Sequence, residues 1–117
     1  MRNTLLLLIL LVSVHQTVFA ACEADRFGVI HCGRGDCALN KAGNVFCSKY
    51  QFGEARLDEH GEVVCGKGQC ATARKFKDIY CSTIEGGGAK RDRSGEVKCY
   101  GGCEKASAQM CESQEGR

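Results

Sequence analysis

Ten cysteines lie between positions 22 and 111, and the regularity of their spacing limits the possible folds more than any other feature of the 117-residue chain. Cys32-Gly33-Arg34-Gly35-Asp36-Cys37-Ala38 recurs as Cys65-Gly66-Lys67-Gly68-Gln69-Cys70-Ala71, and in degenerate form as Cys99-Tyr100-Gly101-Gly102-Cys103-Glu104. Between these copies sit Val45-Phe46-Cys47-Ser48 and Ile79-Tyr80-Cys81-Ser82. Self-similarity at a fixed period means that one small supersecondary unit is used several times. The repeat predicts a single cysteine-rich domain over residues 21–117, with units near 22–57, 58–90 and 91–117.

The element shared by the units is Gly-x-Val-x-Cys: Gly43 to Cys47, Gly61 to Cys65 and Gly95 to Cys99. Glycine supplies the positive φ of a tight hairpin turn, and the β-branched residue after it suits a half-buried strand. Alternation places Val97 and Cys99 on one face and Glu96 and Lys98 on the other, so the cysteine side faces inward. These signals predict an all-β, small disulfide-rich domain of repeated short hairpins built on five strands. Helix formers at 104–112 predict one or two helical turns near the C-terminus. At Phe76-Lys77-Asp78-Ile79 the glycine is missing, so that turn must differ from the others.

Residues 21–117 contain only fourteen Ile, Leu, Val and Phe. A chain so poor in core formers needs covalent crosslinks to hold a fold. All ten cysteines, Cys22, Cys32, Cys37, Cys47, Cys65, Cys70, Cys81, Cys99, Cys103 and Cys111, are therefore expected in disulfides. Equal spacing suggests Cys22–Cys32 and Cys37–Cys47, with Cys70–Cys81 and Cys103–Cys111 closing similar loops. That leaves Cys65–Cys99 as a long-range bridge.

An oxidising compartment is also what the N-terminus predicts. Arg2 precedes an apolar run over residues 5–14, and Val18-Phe19-Ala20 forms a small-x-small signal for cleavage after Ala20. The run is too short to span a bilayer, so no stable membrane insertion is expected after cleavage. A lipobox ending at Cys22 would leave an odd cysteine. Zinc is disfavoured because secreted thiols oxidise and the spacings lack the tight Cys-x2-Cys of ribbon sites. No cofactor is expected, and a net charge of about +1 after cleavage argues against nucleic-acid binding by bulk charge.

His31 and His60 are the only near-neutral bases left, and no nucleophile motif accompanies them, so the chain reads as a non-enzyme. Arg34-Gly35-Asp36 spells an integrin-binding tripeptide, but the matching Lys67-Gly68-Gln69 points to a turn requirement instead. Lys90-Arg91, after a glycine run, is a candidate processing site alongside Ala20. Arg74-Lys75-Phe76-Lys77 sets an aromatic ring among cations and is the candidate binding segment. Tyr50, Phe52, Tyr80 and Tyr100 are candidate stacking platforms for a sugar.

The stretches 44–48, 61–70 and 95–104, together with the signal segment and the small size, resemble fungal small secreted cysteine-rich repeat proteins of candidate-effector type. The resemblance implies secretion, a role in virulence, and a partner that is a host protein or a cell-wall glycan. It supplies no catalytic residues. The chain is thus expected to be a secreted, non-enzymatic, effector-like protein of the extracellular space. The alternatives are an antimicrobial or killer-type toxin, which the near-neutral charge disfavours, and a carbohydrate-binding module.

Overall fold

The computed structural model describes residues 21–113; the expected signal segment and its cleavage point after Ala20 lie outside the described residues. Twelve short strands form an all-β disulfide-rich array of five antiparallel hairpins followed by a returning tail. Hairpin 1 is β1 (Cys22–Ala24) with β2 (Ile30–Cys32), and hairpin 2 is β3 (Cys37–Leu39) with β4 (Val45–Ser48). Hairpin 3 is β5 (Ala55–Leu57) with β6 (Val63–Cys65), and hairpin 4 is β7 (Cys70–Thr72) with β8 (Ile79–Ser82). Hairpin 5 is β9 (Ala89–Arg91) with β10 (Val97–Cys99). In the tail, β11 (Cys103–Lys105) adds to β8 and β12 (Cys111–Ser113) adds to β4. Ser107 bridges Cys65 between them, through two backbone hydrogen bonds of 3.0 Å.

Four of the five turns are chemically alike. Asp25, Asn40, Asp58 and Asp92 open them, and Gly28, Gly43, Gly61 and Gly95 close them with φ between 80° and 95°. In the first three, one side-chain oxygen accepts two N–H groups: Phe27 and Val29 on Asp25, Ala42 and Asn44 on Asn40, His60 and Glu62 on Asp58. Asp92 does the same work through the N–H of Glu96 and the hydroxyl of Ser94. An Asx residue fixes the bend, and a left-handed glycine lets the second strand restart in register.

The hairpins stack in one direction. Arg26 N–H donates to the Gly43 carbonyl, Lys41 to Gly61 and Arg74 to Gly95, at 2.9–3.1 Å. Each basic stem lies flat on the next turn's glycine, where any Cβ would meet it at 3.0 Å or less. The faces stack in the same sense. Ala38 and Phe46 of hairpin 2 cover Ala55, Val63 and Cys65 of hairpin 3, and Val64 of hairpin 3 covers Cys70, Ile79 and Cys81 of hairpin 4. The core is thus three small clusters centred on sulfur, not one contiguous interior.

The disulfides correct part of the expected pairing. Cys22–Cys32, Cys37–Cys47 and Cys70–Cys81 join directly opposed residues as expected. The expected Cys65–Cys99 and Cys103–Cys111 do not form; the bonds are Cys65–Cys111 and Cys99–Cys103. Register explains this. Cys65 faces Ala55 and Cys99 faces Ala89, the positions that Cys22, Cys37 and Cys70 fill in the other hairpins. Each of these two cysteines must therefore look to the tail. Cys103 pairs with Ser82 on β8 and Cys111 with Ser48 on β4, at matching places in the two sheets. The two bridges are the same structural bond, although 46 residues separate one pair and four the other.

The array also replaces the five expected strands with twelve, and the expected helical turns at 104–112 with a single 3-10 turn at Ala108–Met110. Backbone pairing of the tail along β8, β6 and β4 outweighs the modest helix propensity of Lys105, Ala106 and Gln109.

Candidate functional site

Hairpin 4 carries the one turn that departs from the rule. Ala73 donates to the Asp78 carbonyl at 2.7 Å, and the four residues between them are Arg74, Lys75, Phe76 and Lys77. With no glycine available, Phe76 (φ 59°) and Lys77 (φ 54°) both take the left-handed conformation. Such a conformation costs roughly 1–2 kcal/mol in each side-chain-bearing residue. Strain of this kind persists only where the surrounding structure holds it in place. The candidate binding segment of the sequence is this turn.

The turn is open to a partner. The Phe76 ring is 74% exposed, and the Lys75 ammonium lies 5.4 Å from its centroid. Lys75 and Phe76 border a cavity of about 340 Å³ whose other walls are Ala73, Asp78, Tyr80, Gly95, Glu96, Val97 and Cys103. Two rings, an aliphatic floor, one ammonium and two carboxylates suit a ligand with an apolar or sugar face and polar edges. Arg74 does not line the cavity; its stem is laid on Gly95, which does. Lys77 lines the opposite flank, where a smaller cavity of about 200 Å³ with Asp58, Glu59 and His60 separates hairpins 3 and 4. Glu96 and Val97 escaped sequence reasoning because hairpin 5 supplies them across the stack. The alignment of residues 89–99 on 55–65 was the available signal.

Replacing Lys77 with glycine is expected to raise stability by about 0.5–1 kcal/mol, because relief of the left-handed strain exceeds the added chain entropy. Urea unfolding reads the sign directly.

The other candidate residues are dispersed. Tyr80 joins the cavity, whereas Tyr50, Phe52 and Tyr100 belong to the loops at the opposite edge, where Lys67 lies 5.6 Å from the Tyr50 ring. Lys90 and Arg91 stand in β9, paired with Lys98 and Val97, and not in a free loop; a cut there would leave two pieces joined by Cys65–Cys111. Within Arg34-Gly35-Asp36, Gly35 is buried where a Cβ would strike the Tyr50 carbonyl, and Asp36 accepts from the Ala55 N–H at 3.3 Å. The tripeptide is thus built into the array.

His31 is buried in hairpin 1, with Nε2 2.8 Å from Asp25 Oδ2. That hydrogen bond, followed by those from the Val29 and Phe27 N–H groups, holds the Asp25 carboxyl below its usual value. A lowered folded pKa means that the contribution is complete above the unfolded value near 4, and is lost as pH falls through the folded value. Hairpin 1 is therefore expected to loosen at the acid end, and hairpin 5 with it, since hydrogen bonds from the Ser94 hydroxyl and the Glu96 N–H lower the Asp92 carboxyl as well. Amide exchange followed between about pH 2 and 5 checks this, and Asp25→Asn, which keeps the turn, should remove that pH dependence from hairpin 1.

Among the described residues no group of three or more His, Cys, Asp and Glu could hold a metal ion, and no helix is long and apolar enough to cross a membrane. Every one of the ten cysteines is bonded, a state consistent with an extracellular protein. No protein-family model, curated protein or solved structure matches the chain.

Proposed function

We propose that this is a secreted, non-enzymatic, effector-like protein that binds an extracellular host or cell-wall component through the fourth turn. The observation carrying the reading is that the only hairpin turn to break the repeat among the described residues presents Lys75 and the exposed Phe76 beside a cavity. The other turns are alike because the stack needs them so, whereas this one keeps two strained residues that a glycine would relieve. The disulfide scaffold supports the extracellular part of the reading, since crosslinks of this density suit small secreted domains.

A glycan is the favoured partner within this reading, because Phe76 and Tyr80 both border the cavity and rings of this kind stack on sugar faces. The test is retention of the labelled protein on insoluble chitin, insoluble glucan and intact host cell walls. Lys75→Ala with Phe76→Ala is expected to lower retention at least tenfold, the scale of losing an aromatic anchor. Unchanged retention by the variant, or no retention of the wild type on any of the three, overturns the proposal.

A further inference from the structure

Hairpin 1 exposes what its counterparts bury. Ile30 occupies the place of Val45, Val63 and Ile79, which are 2%, 5% and 6% exposed, yet Ile30 is 62% exposed. The reason is positional. The cysteine faces of hairpins 3 and 4 each receive the opposite face of the hairpin before them, and among the described residues no hairpin precedes hairpin 1. Its turn is likewise unmet. Nothing lies within 4 Å of a Cβ built on Gly28, whereas Gly43, Gly61 and Gly95 each carry a basic stem, and the Gly28 carbonyl accepts no hydrogen bond among the described residues.

The complementary half stands at the other end. Arg93 of hairpin 5 occupies the place of Arg26, Lys41 and Arg74, which is exposed, and its N–H has no acceptor among the described residues. The chain turns back at Gly101 and Gly102, both with positive φ, so among the described residues no sixth hairpin takes up that donor.

We propose that the stack continues between molecules, with hairpin 5 of one copy seated on hairpin 1 of the next. Arg93 N–H donates to Gly28 of the neighbour, the Arg93 stem covers that glycine, and the stems of Lys90 and Lys98 cover Ile30 and the exposed Cys22–Cys32 bridge. Lysine stems suit this place because their aliphatic part can cover apolar surface while the ammonium stays in water. Two copies of hairpin 1 meeting face to face would bring two acceptors and no donor at the turn. The direction of the stack therefore selects the head-to-tail arrangement, which does not close on itself.

The face is small and the association weak, so sedimentation equilibrium of the oxidised protein from about 10 μM to about 1 mM brackets it. The wild type is expected to gain mass continuously with concentration, without a plateau at the dimer. Arg93→Glu removes one half of the contact and Ile30→Lys the other, and each variant alone should remain monomeric. Mixed in equal amounts, each supplies the half that the other lacks, and the mass should rise to twice the monomer's and stop. Full oxidation and a native circular dichroism spectrum confirm that the variants fold; if Ile30→Lys does not, Phe27→Asp at the exposed tip takes its place. A wild type that stays monomeric overturns the proposal. So does an Arg93→Glu variant that associates like the wild type, or a mixture that gains no mass.

Discussion

Replacing Cys65 and Cys111 together with alanine is expected to cost about 4 kcal/mol, against about 2 kcal/mol for Cys99 with Cys103, in the chain-entropy view of crosslinks. The two bridges hold equivalent places in the array, each tying a hairpin that lacks its own cross-strand partner to the tail. The larger difference lies in the unfolded chain, where one bond closes 46 residues and the other four, and the burial of Cys65 among Ala55 and Val63, against an exposed Cys103, acts in the same direction. Domains of this size have only about 5–15 kcal/mol to lose, so the first pair should forfeit a large share of it. Urea midpoints of the two double variants give the comparison. Equal losses would mean that the length of the closed loop does not set the cost.

Gly53→Ala is expected to destabilise by about 3 kcal/mol, the upper range of overpacking. A Cβ on Gly53 would lie 2.0 Å from the Gly66 carbonyl oxygen and 2.4 Å from Ser48 Oγ. Neither neighbour can retreat cheaply. Ser48 is fully buried and its hydroxyl donates to that same carbonyl, while the Gly53 carbonyl accepts the Asp36 N–H at 3.0 Å. Gly87 stands in the same relation to Ser82, so Gly87→Ala should cost a similar amount. Gly88→Ala is the control, since its only near neighbour is the end of Gln69 at 3.9 Å. Thermal melts of the three variants separate close approach from loss of glycine as such.

Hairpins 2, 3 and 5 were legible in the sequence because each carries its own signal, a Gly-x-Val-x-Cys run that begins in a turn decided locally. The loss of glycine at residues 76–79 likewise announced an irregular turn, and the structure places two left-handed residues there. The tail was not legible. Its pairing with β8 and β4 depends on main-chain groups that any residue offers, so Cys103 and Cys111 looked like the ends of one more hairpin. The vacancy that redirects Cys65 is an alanine, Ala55, and small residues carry little signal until the register is known. The cavity beside Phe76 was half visible for a related reason, as one wall belongs to the next hairpin in the stack.

The central claim is that two equivalent bridges tie the tail to hairpins 3 and 5. Tryptic digestion of the oxidised protein followed by mass spectrometry tests it most directly. Cleavage after Arg56, Lys67, Lys98 and Lys105 yields residues 57–67 with Cys65, 99–105 with both Cys99 and Cys103, and 106–117 with Cys111. The expected result is 57–67 joined to 106–117 alone, with 99–105 released as a closed loop two protons lighter than its reduced form. Recovery of all three segments as one crosslinked species would mean Cys65–Cys99 with Cys103–Cys111, or Cys65–Cys103 with Cys99–Cys111, and would contradict the account.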